Sequence, residues 1–208
     1  HRLYEEMRRA GLFGGAQSGM YVAALSAIET ALWDLTGKAL GLPVYQLLGG
    51  KFRDRIRLYC DTALYQRQLP TPADFARAAR EAVEMGFTAV KFDLDQANDP
   101  KKYDAYNWTA SPGELRRMVD QITAVREAVG PEIDVCVDMH GRYDMTTGEQ
   151  VARRMEPLNL MWLEEPVFPP EDTDGLARVR ARGIPIAAGE NVAGLYGFKA
   201  LIAAGAID

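Results

Sequence analysis

From Ile56 onward, short apolar runs of strand character alternate with longer stretches whose apolar residues recur at helical spacing. The runs are IRLYCD (56–61), FTAVKFDLD (87–95), EIDVCVD (132–138), LNLMWLEE (158–165) and IPIAAGE (184–190), and AID (206–208) reads as the start of a sixth. The segments predicted as helices are ADFARAAREAVEMG (73–86), GELRRMVDQITAVREAVG (113–130), Thr147–Met155, TDGLARVRARG (173–183) and LYGFKALIAAG (195–205). Ser111 followed by Pro112 is a good N-cap for the second of these. Upstream, residues 20–40 predict one long helix whose buried face is Ala24, Ala27, Ile28, Ala31, Leu32 and Leu35, and a short helical piece, VYQLLGG, follows.

Strand-then-helix alternation predicts an α/β fold, and its even spacing fits a (β/α)8 TIM-like barrel better than a doubly wound sheet. No glycine-rich phosphate turn follows the first strand, as a dinucleotide-binding sheet would require. Five strands and the beginning of a sixth do not close a barrel of eight. The chain is therefore expected to be a fragment of a larger protein, an expectation that its first residue, His1, also suits.

The 208 residues are 48% hydrophobic and 25% charged, an ordinary globular composition. A net charge of −5, with no basic run interleaved with aromatics, argues against nucleic acid as a partner. Apolar stretches are broken well before the ~20 residues of a membrane span, and HRLYEEMRRAG lacks the apolar core of a secretory signal. Two cysteines, Cys60 and Cys136, are too few for a disulfide framework and are expected in buried strands of a cytoplasmic protein.

Chemistry enters through an even beat of acids. Asp138, Glu164 and Glu190 stand 26 residues apart, each at the end of a predicted strand. In a barrel such acids converge on the C-terminal rim, where their mutual repulsion calls for a cation. Oxygen-only ligands suit a hard ion such as Mg²⁺. His140, one of two histidines, follows Asp138 by two residues, so both can face the barrel mouth. Lys91 and Asp93 share one face of their strand by the period-two rule. Tyr103, Tyr106, Asn107 and Trp108 lie in a long polar loop suited to a lid, whereas Met139, Met161 and Trp162 read as core.

The run SAIETALWDLTGKALGLPVYQLLGG, the VKFD strand, VDMHGRY, WLEEPV and AAGEN together resemble the enolase superfamily, in its mandelate racemase/muconate lactonizing branch. The resemblance implies that residues 1–50 are the helical end of an α+β capping domain and 51–208 the N-terminal part of a modified TIM barrel. It implies Asp138, Glu164 and Glu190 as the Mg²⁺ ligands, with Glu165 in a supporting role. The family chemistry removes the proton α to a carboxylate. The D-x-H-G-R run resembles the acid-sugar dehydratases, in which the histidine, here His140, protonates the departing β-hydroxyl.

Lys91-Phe92-Asp93 departs from the K-x-K pattern of many members, so racemisation by a lysine on that strand is less expected. Lys91 then serves to neutralise a substrate carboxylate, and Asp93 is a base, a hydroxyl-binding group or a partner of Lys91. Arg142, Tyr143 and Asn191 are candidate substrate contacts, Asn191 also being placed to orient Glu190. The readings are a sugar-acid dehydratase giving a 2-keto-3-deoxy acid, a racemase, epimerase or cycloisomerase of the same superfamily, a glycosidase using Glu164 and Glu190, and an inactive truncated relative. A His–Asp base pair is expected beyond Asp208, and homo-oligomers are implied by the resemblance.

Overall fold

The computed structural model describes residues 2–15, 19–62, 70–95, 99 and 102–208. It divides into two compact units, His1–Arg57 with Val192–Phe198, and Leu58–Asn191 with Lys199–Asp208.

The first unit holds α1 (Arg2–Ala10), α2 (Gly19–Leu40) and α3 (Val44–Leu47). The first of these was not expected from the sequence; Arg2 pairs with Glu6 at 2.8 Å and Arg8 with Glu5 at 2.9 Å along its surface. In α2 only Leu25 and Gly37 are buried. The predicted buried face is largely open, with Ile28 49% and Leu35 63% exposed, because short α1 and α3 are the elements packed on α2 within this unit. At Gly37 a Cβ would sit 2.7 Å from the Leu42 carbonyl, where the chain doubles back onto the end of α2.

The second unit carries β1 (Cys60–Asp61), α4 (Pro72–Glu84), β2 (Ala89–Asp93), α5 (Pro112–Val129), β3 (Asp134–Asp138), α6 (Met145–Met155), β4 (Trp162–Glu164), α7 (Thr173–Arg180) and β5 (Ile186–Ala187). A last helix, α8, spans Gly194–Ala203. All five strands are parallel and lie in the order 1-2-3-4-5, which is the winding of a (β/α)8 barrel. Val90, Phe92, Val135, Val137 and Leu163 are wholly buried, as strands covered on both faces must be. Phe75 of α4 stacks on Phe92 of β2 at 5.1 Å, and Leu115, Ile122 and Val125 of α5 continue that layer.

Strands are shorter than the apolar runs that announced them. β1 begins only at Cys60 because its partner on β2 starts at Val90, and Leu58 upstream is 68% exposed. Cys60 is accordingly half-buried rather than core, whereas Cys136 is buried. Beyond α8, the Asp208 amide donates to the Ile186 carbonyl at 3.0 Å, so the AID segment runs beside β5 as a sixth strand would.

Helix starts are well marked. Thr71 with Asp74 and Ser111 with Glu114 form reciprocal capping boxes, and Asp144 and Asp172 cap α6 and α7. Ser111→Ala is expected to cost about 1 kcal/mol, read as a lower urea midpoint with unchanged slope; an unchanged midpoint would contradict the capping role. No helix among the described residues is long and apolar enough to cross a membrane.

Candidate active site at the strand ends

Parallel register sets three acids side by side. Asp93, Asp138 and Glu164 are the last residues of β2, β3 and β4, and they are direct register partners, Asp93 with Asp138 and Asp138 with Glu164. On the next strand the partner of Glu164 is Ala187, so Glu190 lies three residues past the paired end of β5, where it is exposed. Equal spacing in sequence therefore does not place the three predicted metal ligands at one level.

Lys91 fills the gap between two of them. Its ammonium lies 2.9 Å from Asp138 and 3.4 Å from Glu164, with the lysine 8% and Asp138 1% exposed. Lys91 therefore pairs across the sheet with Asp138 and Glu164, and a pairing with Asp93, one of the three roles left open for that acid, is not what is observed. Burial alone would lower the lysine's pKa, but the hydrogen bond and charge of Asp138, with Glu164 behind, raise it instead. The two carboxylates thus favour the charged ammonium. Burial and the Asp138 charge raise the Glu164 pKa, opposed by Lys91 and by the Trp162 indole, which donates to Glu164 at 3.0 Å. Trp162, expected to be core, is a site neighbour.

His140 sits at a backbone φ of 52°, a left-handed conformation that turns the chain away from β3. Its amide donates to the Asp138 carboxylate at 2.8 Å, tying the turn to the strand end. Nδ1 is 3.4 Å from Asp95 and Nε2 is 3.7 Å from Asp138. Burial opposes the imidazolium, but Asp138, Asp95 and Asp93 outweigh it and raise the His140 pKa. Ligand atoms of Asp93, Asp138 and His140 all lie within 4.8 Å of one another, close enough to share a metal ion.

Behind the strand-end acids, Glu165 is wholly buried, and its Oε1 accepts from the amides of Gly189 and Glu190 at 2.7 and 3.2 Å. This fastens the loop bearing Glu190 and Asn191 to the end of β4. Its other oxygen is buried without a hydrogen-bond partner among the described residues.

A cleft of about 690 Å³ opens beside these strand ends. It is lined by Tyr106, Asn107 and Trp108, by His140 and Arg142, and by Phe168, Pro170 and Asn191. Arg142 is steered by Asp95, 2.8 Å from its Nε, and by the Trp108 ring, 5.2 Å away. Two of the three predicted substrate contacts, Arg142 and Asn191, thus line the cleft. Tyr143 does not: it is 1% exposed, and its hydroxyl faces the carbonyls of Leu94 and Asp95.

Against this geometry, comparison with known proteins is specific. The family described as "Enolase C-terminal domain-like" matches residues 74–208, and "Mandelate racemase / muconate lactonizing enzyme, N-terminal domain" matches residues 2–49. The chain belongs to the enolase superfamily, in its mandelate racemase/muconate lactonizing enzyme branch.

Within that branch it is 38% identical over 209 residues to the D-xylonate dehydratase of Haloferax volcanii, covering 100% of this chain and 50% of that protein. It is 34% identical over 207 residues to the D-galactarolactone cycloisomerase of Agrobacterium fabrum, covering 99% of this chain and 49% of the relative. The crystal structure of a mandelate racemase/muconate lactonizing enzyme-like protein from Rubrobacter xylanophilus superposes with a TM-score of 0.89 at 48% identity, covering 100% of this chain and 56% of that one. The chain spans about half the length of the curated relatives it matches.

One acid in this superfamily site is held against its nature. Burial, with Asp138, Asp61 and Asp95 nearby and His140 pulling the other way, pushes the Asp93 pKa from 3.8 to about 6. A raised folded-state pKa means stability that is fully present below the unfolded value and lost as pH rises through the folded one. In chelator, Asp93→Asn is therefore expected to raise stability at pH 7.5 by about 1 kcal/mol, a figure discounted for the solvent that still reaches the group. The gain should vanish below about pH 3, where the carboxyl is protonated in both the folded and unfolded states. Thermal melts at the two pH values check this; a lower melting temperature at pH 7.5 would contradict it.

Proposed function

We propose that the protein carrying this chain is a metal-assisted sugar-acid dehydratase that converts an aldonic acid to a 2-keto-3-deoxy acid. The observation that carries the reading is His140, poised beside the strand-end acids and lining a polar and aromatic cleft. Residues 1–50 are read as the helical end of a capping domain and 51–208 as the first part of the barrel, and a homo-oligomer is the expected assembly.

The donor chemistry fits a divalent cation. Asp138 and Glu164 are adjacent, little exposed and currently share a single ammonium. We assign Mg²⁺ to Asp138, Glu164 and Glu190, with Asp93 and His140 at its edge. When bound, the ion supplies the charge that stabilises the dianion left after removal of the proton α to the carboxylate.

The chain's own residues do the rest. Lys91 holds Asp138 and Glu164 in place and adds positive potential where the substrate carboxylate would lie. His140 gives its proton to the departing C3 hydroxyl, and the carboxylates of Asp138, Asp95 and Asp93 around it favour the protonated imidazole. Asp93 lies in the same cluster as His140 and can help reload it with a proton. Arg142 and Asn191 bind hydroxyls further along the substrate. The base that takes the C2 proton is assigned to the His–Asp pair that the resemblance places after Asp208.

Aldonic acids of five and six carbons incubated in D₂O test the reaction type. A 2-keto-3-deoxy product with deuterium at C3 supports dehydration. Deuterium at C2 of unchanged or epimerised substrate, with no keto product, would replace this reading by racemisation or epimerisation.

A further inference from the structure

Outside the strand ends, Lys102 has the most unusual surroundings. Its ammonium lies 4.0 Å from the centroid of the Trp108 ring and 5.0 Å from that of Tyr143. It donates to the Asp95 carbonyl and to the Tyr143 hydroxyl, each at 3.2 Å. The two rings meet edge to face at 5.3 Å, and Trp108 holds a left-handed backbone with φ 55°. An ammonium drawn partly out of water needs its hydration replaced, and two acceptors plus two ring faces do so.

Lys102 itself does not line the cleft, whereas Trp108 and Arg142 do. The backbone around Trp108 is fastened by other groups. Its amide donates to the Asp104 carbonyl, the Ala110 amide to Thr147, and the Tyr103 and Ser111 amides to the two oxygens of Glu114. None of these fixes the indole plane. Among the described contacts, that is left to Lys102, Tyr143 and Arg142.

We infer that Lys102 is a positioning residue: clamped between Trp108 and Tyr143, it sets the indole as the wall against which the distal, hydroxylated carbons of a sugar acid pack. C–H groups of a polyol suit the ring face, while its hydroxyls reach Arg142 and Asn191, which line the same cleft. The ligand in this inference rests on the dehydratase reading; the clamp does not.

Lys102→Met and Lys102→Arg, made in the longest natural polypeptide that carries this chain, separate the two. Loss of one cation–π and hydrogen-bonded clamp is expected to raise KM for an aldonate about tenfold in Lys102→Met, with kcat within about threefold, and Lys102→Arg should restore most of it. Hydrogen exchange gives a readout free of activity: the Trp108 indole N–H, part of the ring that Lys102 holds, should exchange about tenfold faster in Lys102→Met and near the wild-type rate in Lys102→Arg. Unchanged exchange in Lys102→Met, or an equal rise in both variants, overturns the clamp. A fall in kcat with KM unchanged overturns its placement at the substrate wall. Should Lys102→Met also loosen the Val135–Val137 amides, Lys102→Arg alone decides, restored KM and exchange supporting the inference and their loss overturning it. If the wild type turns over no aldonate, the dehydratase reading fails and the exchange data still settle the clamp.

Discussion

Lys91→Met is expected to destabilise the chelator-treated protein by about 3 kcal/mol, because removing one member of a buried ion cluster strands its partners. Asp138 and Glu164 would lose the cation they share, and Asp138 is nearly sealed from water. The same variant gives metal binding a sharper readout than the wild type, since the two carboxylates no longer have a resident ammonium. Saturating Mg²⁺ should return about 2 kcal/mol by binding only the folded state. Urea unfolding with chelator and with Mg²⁺ measures both quantities. A loss below about 1 kcal/mol would show that the cluster is not the electrostatic unit its distances suggest. A full loss with no response to Mg²⁺ would remove Asp138 and Glu164 as a cation site.

His140→Asn should lower the rate of keto-acid formation about a thousandfold, the scale on which a positioned general acid acts. Asparagine is the informative replacement because it tolerates the left-handed backbone that His140 adopts, so the turn and its amide bond to Asp138 survive. The variant should still bind Mg²⁺ and still exchange the C2 proton of an aldonate with solvent, since only departure of the C3 hydroxyl lacks its proton. Unchanged turnover would reassign the acid, with Asp93 the next candidate. Loss of C2 exchange together with dehydration would instead make His140 part of proton abstraction.

Much of this site was legible before any coordinates. The alternation of apolar runs and amphipathic segments identified five strands and the helices between them, and Ser111–Pro112 marked the start of α5. Asp138 and Glu164 were correctly read as neighbours, because each closes a run that becomes a paired strand end. Glu190 shows where counting fails. Twenty-six residues separate it from Glu164, yet the ladder pairs Glu164 with Ala187, and the remaining residues form a loop that Glu165 must anchor. A residue count carries no information about where pairing stops.

Burial was equally opaque in α2, since periodicity names the apolar face but not whether anything packs on it. The surroundings of Lys102 arise from contacts across 6 and 41 residues, to Trp108 and Tyr143, which no local pattern announces. Tyr143 illustrates the converse: its proximity in sequence to His140 suggested a substrate contact, but the chain turns at His140 and Gly141 and carries the ring into the core.

The account stands or falls on metal-dependent dehydration by this cleft. The decisive measurement is the rate of 2-keto acid formation from five- and six-carbon aldonic acids by the longest natural polypeptide carrying these residues, with Mg²⁺ and after chelation. The account predicts keto-acid product with Mg²⁺, its loss on chelation, and its recovery when Mg²⁺ is added back. Turnover that survives chelation, or no keto acid from any aldonate with Mg²⁺ present, would contradict it.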